Sequence, residues 1–442
     1  MADRPDPALP VTDEEFAARL KAVRVDGDFA IAVSGGRDSM ALMRLAAAYG
    51  VQNSARVLVL TVDHGLRPEA LREAETVCAW AAALGLDCRI LCWEGEKPSS
   101  GVQEAARNAR YALLAHAVEK AGLGALLTAH SADDQAETVF MRLRRGAGAR
   151  GLTAMQDATM IAAGAGAPVK LVRALLPFSR ARLTATVDAA AQEYIDDPSN
   201  DDPTYERVRM RALLAALEQQ GLLTQQALLQ TARRQRAADK RLRVGEEELF
   251  RSLGGCFYEW GGASLSLRLS KGENGDAASG LWRRLIFAVS GETHPPDEDA
   301  AGRCYDQTMK TGGASLGGAL MKTSKDRLWF LREPAAVLGR EGRAPLASAT
   351  LAPGEPALWD GRFILSASSD MEIKPLGAEG AAALGPQSAL FSGPREGLFS
   401  APGLYQNGVL IGAPGLLSKA ASGVSMVSLA KERFGGEIMR FS

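Results

Sequence analysis

The chain has 442 residues, which is too long for a single hydrophobic core of the usual size, so we expect two or three domains. Its hydrophobic content of 46% and charged content of 23% are ordinary for a soluble globular protein. The formal net charge of -1 excludes a polycation, so any nucleic-acid-binding surface must be local.

The chain begins with MADRPDPALP, an acidic and proline-rich stretch without the basic and apolar regions of a signal peptide. No long apolar run free of charges follows, so we expect neither a membrane span nor a membrane partner. We therefore expect a cytoplasmic protein.

Five cysteines occur in the chain, and none of them belongs to a CxxC pair. Cys88 and Cys92 lie near each other in the sequence, but the residues around them are typical of a strand. This context disfavours a metal or iron–sulfur site. We expect reduced, buried thiols.

Residues 11–24 predict a short amphipathic helix, because Thr12 and Glu15 have the spacing of a capping box. The strongest functional signal follows at residues 29–39, FAIAVSGGRDS. An apolar strand and a helix flank a loop there, and adjacent glycines let its backbone approach a bulky anion. The helix N-terminus adds N–H groups and a favourable dipole. We predict a phosphate or pyrophosphate site made of Ser34, Gly35, Gly36, Arg37, Asp38 and Ser39.

Within this loop, the serine hydroxyls can donate hydrogen bonds, and Asp38 can bind Mg²⁺ or orient a nucleophile. The spacing differs from GxxxxGK[ST] and from GxGxxG. It matches SGGxDS, the PP-loop of the ATP pyrophosphatase superfamily, whose members cleave ATP between the α- and β-phosphates.

Further strands are predicted at 56–62, 88–93 and 125–129, with helices at 68–84, 103–120 and 133–145 between and after them. This alternation indicates an α/β domain with a doubly wound, mostly parallel sheet. Ligands of such sheets lie beyond the carboxyl ends of the strands. Asp63, His64 and His130 end or follow two of these strands, so we expect them on the same rim as the phosphate loop.

The chain beyond this domain begins with an Ala/Gly-rich stretch, 153–168, that predicts a surface loop. A fifth strand is predicted at 169–175, a helix from Ser179, and a turn containing Asp197 and Asn200. A helical region at 207–249 includes TARRQRAADKRLR, which is either a solvated helix face or an RNA contact. The candidates for RNA binding are Arg207, Arg211, Arg233 and Arg234.

Four ordered motifs resemble those of the tRNA(Ile)-lysidine synthetase family. They are SGGRDS, VDHGLRPEA at 62–70, QEAARNARY at 103–111 and TAHSADDQAET at 128–138. The segment at 195–211 resembles the end of the family's catalytic domain, although Val208 stands where many members have Asn. Two C-terminal stretches resemble, more weakly, the appended domains of the longer members.

The resemblance implies a PP-loop ATP-binding catalytic domain at 1–215. It also implies a helical and mixed tRNA-binding middle domain at 216–340 and a small β-rich tRNA-recognition domain at 356–442, after a linker-like stretch at 335–355.

The resemblance implies a two-step reaction. ATP adenylates the C2 carbonyl oxygen of the wobble cytidine in an isoleucine tRNA with a CAU anticodon, and the side-chain amine of free L-lysine then displaces AMP. ATP and Mg²⁺ are the implied cofactors. The implied partners are the tRNA and lysine, with a second copy of the chain, in a homodimer, as a further candidate.

The same resemblance assigns roles to residues. Asp38, His130 and Asp134 are the expected catalytic residues, with His130 or Asp134 accepting a proton from the lysine amine. Asp134 and Glu137, one helical turn apart, form an acidic pair suited to an ammonium group, and Arg110 suits a carboxylate or the ATP phosphates. Asp63 and His64 are expected beside ATP, and Asp38 is the expected Mg²⁺ ligand.

Two alternatives stay open at this point. A PP-loop tRNA thiolase activates a base in the same way, but it calls for a persulfide-carrying Cys or a CxxC cluster near the loop. A non-catalytic RNA-binding protein on the same fold would be favoured by loss of Asp38, Ser39 or the acidic pair, all of which are present.

Overall fold

The computed structural model describes residues 9–95, 97–98, 101–163, 168–196, 202–204, 206–267, 275–340, 344–354, 356–385, 388, 391–413, 423–435 and 438–441. The chain divides into two compact units, 1–161 with 168–240 and 441–442, and 162–167 with 241–440. The three-domain division at 1–215, 216–340 and 356–442 stays a prediction. The predicted turn formers Asp197 and Asn200 lie outside the described residues.

The first unit alternates strands with helices. Its strands are β1 (Phe29–Ala32), β2 (Val57–Asp63), β3 (Asp87–Cys92), β4 (Ala125–Leu127), β5 (Ala158–Ala163) and β6 (Val169–Val172). Its helices are α1 (Asp13–Ala22), α2 (Arg37–Asn53), α3 (Ala70–Ala83), α4 (Val102–Lys120), α5 (Ala132–Arg144), α6 (Arg180–Ala189) and α7 (Glu206–Gln219). Helix α8 (Gln225–Ser252) contains the boundary between the two units.

The strands of this unit lie in the order β5-β6-β4-β1-β2-β3. β1 pairs in parallel with β2 on one side and with β4 on the other, through Ala30↔Leu58 and Ala30↔Leu126. The chain order therefore reverses direction across the sheet between β1 and β4, which creates a crevice beyond their carboxyl ends. The predicted doubly wound, mostly parallel sheet is confirmed.

The central strands are apolar because helices cover both faces of the sheet. Phe29, Ile31, Val59 and Leu127 are completely buried and belong to one core cluster with residues of α1, α2 and α6. Such burial explains why these strands appear in the sequence as continuous apolar runs rather than as alternating ones. The capping box predicted for α1 is also confirmed, since Thr12 Oγ1 accepts from Glu15 N and Glu15 accepts from Thr12 N.

One local prediction in this unit is wrong. The predicted loop at 153–168 contains β5, which pairs antiparallel with β6 through Ala158↔Val172 and Ile161↔Val169. Its six residues, ATMIAA, carry few β-branched side chains, and pairing with an adjacent strand decides their conformation. The predicted helical region at 207–249 is confirmed and consists of two helices, α7 and α8, separated at residues 220–224.

The cysteine prediction holds for Cys304, which is buried, but is wrong for Cys78 and Cys88. Helix α3 packs against β3, the next strand in the chain, and brings their Cα atoms to 5.3 Å, where they form a disulfide. Cys92 and Cys256 are exposed rather than buried.

The second unit contains antiparallel sheets. Its strands are β7 (Cys256–Phe257), β8 (Ala263–Ser266), β9 (Gly313–Leu316), β10 (Ala319–Ser324), β11 (Arg327–Arg332), β12 (Ala349–Leu351), β13 (Ala357–Trp359), β14 (Phe363–Ala367), β15 (Met371–Pro375), β16 (Pro402–Gln406), β17 (Val409–Gly412) and β18 (Val424–Ser428). A last strand, β19, spans Ile438–Phe441. Its helices are α9 (Gly275–Ser290), α10 (Glu298–Thr311), α11 (Pro334–Leu338), α12 (Gly377–Ala383), α13 (Arg395–Phe399) and α14 (Ala430–Gly435).

These strands form sheets in the orders β7-β8-β11-β10-β9, β12-β15-β16-β17 and β13-β14-β18. The predicted β-rich character of the C-terminal stretch is confirmed, whereas the linker-like reading of 335–355 misses α11 and β12. None of the described helices combines the length and the apolarity that crossing a bilayer requires.

Candidate active site

A cavity of about 720 Å³ lies in the first unit at the carboxyl ends of β1, β2 and β4. Its walls include the following predicted residues: Ser34, Gly36, Arg37, Asp38, Ser39, His64, Arg110, His130 and Arg211. Asp63, Asp134, Glu137 and Arg207 are not part of its lining. The cavity therefore joins the phosphate loop to residues from the other three motifs.

The phosphate loop depends on glycine at one position. Gly35 has a φ of +84°, and a Cβ there would stand 2.6 Å from Ile195 Cδ1. Both the left-handed backbone and the close packing exclude other residues. Gly36 is the N-cap of α2 and makes no side-chain cap hydrogen bond, so the positive end of this helix faces the cavity, with Asp38 in its first turn.

The loop serines hold each other. Ser39 Oγ accepts from Ser34 N at 3.2 Å and donates to the Gly36 carbonyl at 2.7 Å, and the two hydroxyl oxygens are 3.4 Å apart. Ser39 is buried, whereas Ser34 is exposed. Ser39 therefore fixes the loop, and Ser34 is the hydroxyl available to a ligand.

A segment that the sequence gives no reason to place here, residues 194–196, packs on the loop. Ile195 N donates to the Gly35 carbonyl at 2.9 Å, and Arg37 donates to Tyr194 Oη at 3.1 Å with its guanidinium 4.8 Å from the ring centroid. Tyr194, Ile195 and Asp196 all line the cavity. They hold the loop through contacts that α2 does not supply.

Asp38 lies in the cavity wall in an unusual electrostatic position. Burial raises its pKa to about 6, and neighbouring Asp134 and Asp133 add to that effect, while Arg180 opposes it. Its Oδ2 accepts from Arg180 Nε at 3.3 Å, and its Oδ1 is buried with no hydrogen-bond partner among the described residues. A buried carboxylate oxygen without a partner is uncommon in folded proteins and is compatible with a bound cation.

The acidic pair is buried and occupied by arginines. Glu137, 2% exposed, accepts from Arg207 Nε at 2.7 Å and from Arg211 Nε at 2.8 Å. Asp134 Oδ1 accepts from Arg207 at 2.9 Å and from Arg180 at 3.2 Å, and its Oδ2 caps α5 by accepting from Ser131 N at 2.9 Å. The pair is therefore a cation site whose acceptors are directed at guanidinium groups.

Helical spacing decides which of the alternating arginines reach this pair. Arg207 and Arg211 lie four residues apart on α7 and hence on one face, whereas Arg209 points elsewhere and donates to the Pro203 and Thr204 carbonyls. Arg233 and Arg234 are exposed on α8 and do not line the cavity. The sequence predicts RNA contacts for Arg207 and Arg211, and the structure places both on the acidic pair.

His130 and His64 stand on the cavity wall as imidazoles with lowered pKa values. Burial, followed by the positive charges of Arg173, Arg110 and Arg107, holds the pKa of His130 well below its usual value. Burial and Arg110 also lower the pKa of His64. His130 Nδ1 lies 3.0 Å from Thr128 Oγ1. These shifts favour the neutral imidazole over the imidazolium in both histidines.

Replacing Arg107 with Gln is expected to raise the pKa of His130, because one of the positive charges that lowers it is removed. His64 is the internal control, since its pKa is lowered by Arg110 rather than by Arg107. The pKa of His130 is lower in the folded state than in the unfolded state, so its neutral form stabilises the fold at pH values above the unfolded-state pKa. This stabilisation is lost as the pH falls through the folded-state pKa. NMR titration of both imidazoles checks this, and a His130 pKa that stays constant contradicts it.

Arg180 is the most informative site residue absent from the sequence predictions. It contacts Asp38, Asp134 and Glu137 at 3.3, 3.2 and 3.6 Å. One sequence signal could have found it: α6 begins with Arg180 and Arg182 and has no acidic residue in its first turn. Cations at a helix N-terminus oppose the dipole, so their presence there points to partners elsewhere in the fold.

No cysteine is among the described walls of the cavity, so they supply no sulfur chemistry. In the part of the chain that the structure describes, no group of three or more His, Cys, Asp or Glu side chains is arranged to hold a metal ion. A metal here would depend on a single carboxylate together with a ligand's own oxygens.

Comparison with known proteins agrees with this geometry. Residues 11–217 match a family model described as a PP-loop domain. A protein named tRNA(Ile)-lysidine synthase from Bradyrhizobium sp. (strain BTAi1) is 48% identical over 250 residues, which cover 54% of this chain and 66% of that protein. Proteins of the same name from Rhodopseudomonas palustris and Methylobacterium nodulans are 44% and 38% identical, covering 73% and 74% of this chain and 97% of each relative.

Proposed function

The chain belongs to the tRNA(Ile)-lysidine synthase family, and we propose that it ligates free L-lysine to the wobble cytidine of an isoleucine tRNA with a CAU anticodon. The resemblance seen in the four motifs is thereby confirmed. In the first step the cytidine C2 carbonyl oxygen bonds to the α-phosphorus of ATP, and pyrophosphate leaves. In the second step the lysine side-chain nitrogen bonds to C2, and the C2–oxygen bond breaks to release AMP.

The phosphate loop performs the first step in this proposal. The N-terminus of α2, Ser34 and the Gly35 turn would receive the departing pyrophosphate, because backbone N–H groups and the helix dipole favour its negative charge. Arg37 and His64 line the same cavity and would bind the rest of the nucleotide. One observation carries the proposal. The phosphate loop opens into the same cavity as His130, and Arg180 connects this loop to the buried acidic pair of Asp134 and Glu137.

The residues present fit a bound Mg²⁺ through one protein ligand. Asp38 Oδ1 is buried without a partner among the described residues, and Mg²⁺ is commonly held by one or two carboxylates together with substrate phosphates. When bound, Mg²⁺ would neutralise charge on the leaving pyrophosphate. Asp63 contributes to the loop after β2 instead, since its Oδ1 accepts from Gly65 N at 2.8 Å.

The acidic pair supplies the second substrate's site. Asp134 and Glu137 already hold guanidinium groups at hydrogen-bonding distance, so they have the charge and geometry for an ammonium group. Lysine would take the place of the guanidinium of Arg207, whose side chain is 41% exposed. Arg110, in the cavity wall, has the fork that suits the lysine carboxylate.

His130 is the better of the two predicted proton acceptors. The reacting ammonium must lose a proton before it attacks, and neutral His130 can accept one, as a weaker base than an ordinary imidazole because burial and nearby arginines lower its pKa. Asp134 has its Oδ2 engaged by Ser131 and its Oδ1 by two arginines, which leaves it positioned to hold charge rather than to take a proton. The ring nitrogen of His130 that is not beside Thr128 would be the acceptor.

The tRNA contact is proposed for the exposed basic residues of α8, Arg233 and Arg234 with Lys240. Positive side chains on one helix suit a phosphate backbone, and replacing any of them with Gln is expected to weaken the salt dependence of binding. Arg207 and Arg211 would reach RNA only after leaving the acidic pair.

Pyrophosphate exchange into ATP tests the first step and separates the alternatives. The protein is mixed with ATP, labelled pyrophosphate, Mg²⁺ and the CAU-anticodon isoleucine tRNA. We expect exchange that requires the tRNA and disappears when its wobble cytidine is replaced with uridine. A non-catalytic RNA-binding protein gives no exchange with either RNA. A thiolase that acts on uridine gives the reverse preference, and the absence of cysteine from the described cavity walls already disfavours it.

Replacing Glu137 with Gln is expected to raise the KM for lysine by about 10-fold or more, as for the loss of one charge-assisted hydrogen bond. The tRNA-dependent exchange should stay within a few-fold of wild type, because Glu137 does not contact the phosphate loop. The matched control is Glu206→Gln on α7, which pairs with Arg144 and Arg145 at the surface and should change neither rate. Equal loss of exchange and lysine transfer in the Glu137 variant would contradict the assignment.

A further inference from the structure

Arg180 places a single guanidinium between the phosphate loop and the acidic pair. Its Nε lies 3.3 Å from Asp38 Oδ2, its Nη2 3.2 Å from Asp134 Oδ1 and its Nη1 3.6 Å from Glu137 Oε1. The side chain is 26% exposed and lines the cavity. All three of its nitrogens are thus directed at carboxylates to which we assign a role in the reaction.

These carboxylates do not depend on Arg180 equally. Asp134 and Glu137 would keep Arg207 and Arg211 as partners if Arg180 were removed. Asp38 would not, because Arg180 is its hydrogen-bond partner and Oδ1 has none in the described part of the chain. The consequence of losing Arg180 therefore falls on Asp38.

Arg180 is itself held in place. Its backbone N donates to Asp133 Oδ2 at 2.7 Å, and its carbonyl accepts from Thr184 Oγ1 at 3.0 Å. Ser179 caps the helix by accepting from Arg182 N at 3.4 Å. The guanidinium therefore extends from a fixed helix end rather than from a mobile surface position, which is what a positioning role requires.

We propose that Arg180 is the positioning residue of Asp38: it binds Oδ2 and thereby leaves Oδ1 to the cavity for the adenylation step. The inference rests on the proposed function, because it gives a role to a residue for that reaction. Arg180 acts through Asp38, and its contacts with Asp134 and Glu137 link the phosphate loop to the acidic pair, which lies outside the cavity lining. Neither the family comparison nor the motifs point to this residue.

Two arginines on α6 provide a matched comparison. Arg180→Met is expected to lower the kcat of tRNA-dependent pyrophosphate exchange by about 10²-fold, the scale for a misplaced reacting group. The KM values for ATP and lysine should change much less. Arg182→Met removes a more deeply buried arginine that pairs with Glu15 at 2.6 Å and does not line the cavity. It should lower the melting temperature but keep the kcat of the folded protein.

Three further readouts separate positioning from folding. Arg180→Lys keeps one charge near Asp38 and should recover part of the lost kcat. In an Asp38→Asn background, Arg180→Met should reduce exchange by no more than a further few-fold. A residue that acts through Asp38 has little further effect once Asp38 is replaced. Binding of a non-hydrolysable ATP analogue, measured by calorimetry without turnover, should be nearly the same in Arg180→Met and wild type.

The outcomes are distinguishable. The inference is overturned, and the proposed function is kept, if the wild type is active and the kcat of Arg180→Met is unchanged. The same holds if the loss of kcat only matches the unfolded fraction of the variant. Full additivity with Asp38→Asn also overturns it. A wild-type chain that shows no tRNA-dependent exchange overturns the proposed function and the inference with it.

Discussion

Asp38→Asn is expected to reduce AMP formation by about 10³-fold, near the upper end for losing one electrostatic stabiliser, while tRNA binding stays nearly intact. The substitution keeps the shape of the side chain but removes the charge that Arg180 and a bound cation would share. Asp38 lies in the cavity wall and has no described contact with α8, so the proposed RNA surface is unaffected.

The measurement compares AMP release with tRNA binding in a filter assay. Asp188→Asn is the control, since Asp188 is an exposed carboxylate on α6 outside the cavity. An Asp38 variant that loses tRNA binding and AMP formation to the same extent would show that Asp38 supports the fold rather than the reaction.

Asp360→Asn is expected to cost about 3–5 kcal/mol of unfolding free energy, the range for breaking a buried ion pair by removing one partner. Asp360 accepts from Arg332 at 2.8 and 3.0 Å and from Arg362 at 2.6 Å. All three residues are at most 5% exposed. Burial already lowers the pKa of Arg362 to about 10, with Asp360 opposing that effect, so the variant leaves two buried guanidiniums with less compensation.

Asn is the informative replacement because Asp360 has a φ of +51°, a conformation that Asn tolerates as well as Asp. Urea unfolding followed by circular dichroism gives the change in free energy. The control is Glu372→Gln, which breaks an exposed pair with Lys374 at 3.5 Å and should cost less than about 1 kcal/mol. Equal effects of the two variants would contradict the stabilising role of the Asp360 network.

The fold of the first unit is predictable from the sequence because its signals are local. Apolar runs of strand length, each followed by a helix, dictate a parallel sheet, and the carboxyl ends of its strands then collect Ser34, His64 and His130 on one rim. The phosphate loop is equally local, since Gly35, Gly36 and Ser39 act within six consecutive residues. These features need no knowledge of which distant residues meet.

The site contacts that the sequence does not reveal are long-range. Arg180 reaches Asp38 from 142 residues away, and Arg207 reaches Glu137 from 70 residues away. The sequence around an arginine does not show which carboxylate it will pair with, so the sequence alone favours an RNA contact for Arg207. The disulfide between Cys78 and Cys88 and the strand β5 escape prediction for a different reason, because their partners are near in the sequence but packing against a neighbouring element decides both.

The arginines have a functional consequence for the acidic pair. Asp134 and Glu137 face three guanidiniums, so under the proposed assignment a substrate ammonium would have to displace an internal arginine. We expect such competition to lower the apparent affinity for lysine.

The central claim is tested most directly by transfer of labelled lysine to RNA. The protein is incubated with ATP, Mg²⁺, labelled L-lysine and the CAU-anticodon isoleucine tRNA, and the digested nucleosides are analysed by mass spectrometry. We predict label on the wobble nucleoside, with one AMP released per lysine, and none on the elongator methionine tRNA that has the same anticodon. Folded protein that releases AMP but leaves the isoleucine tRNA unlabelled would contradict the account.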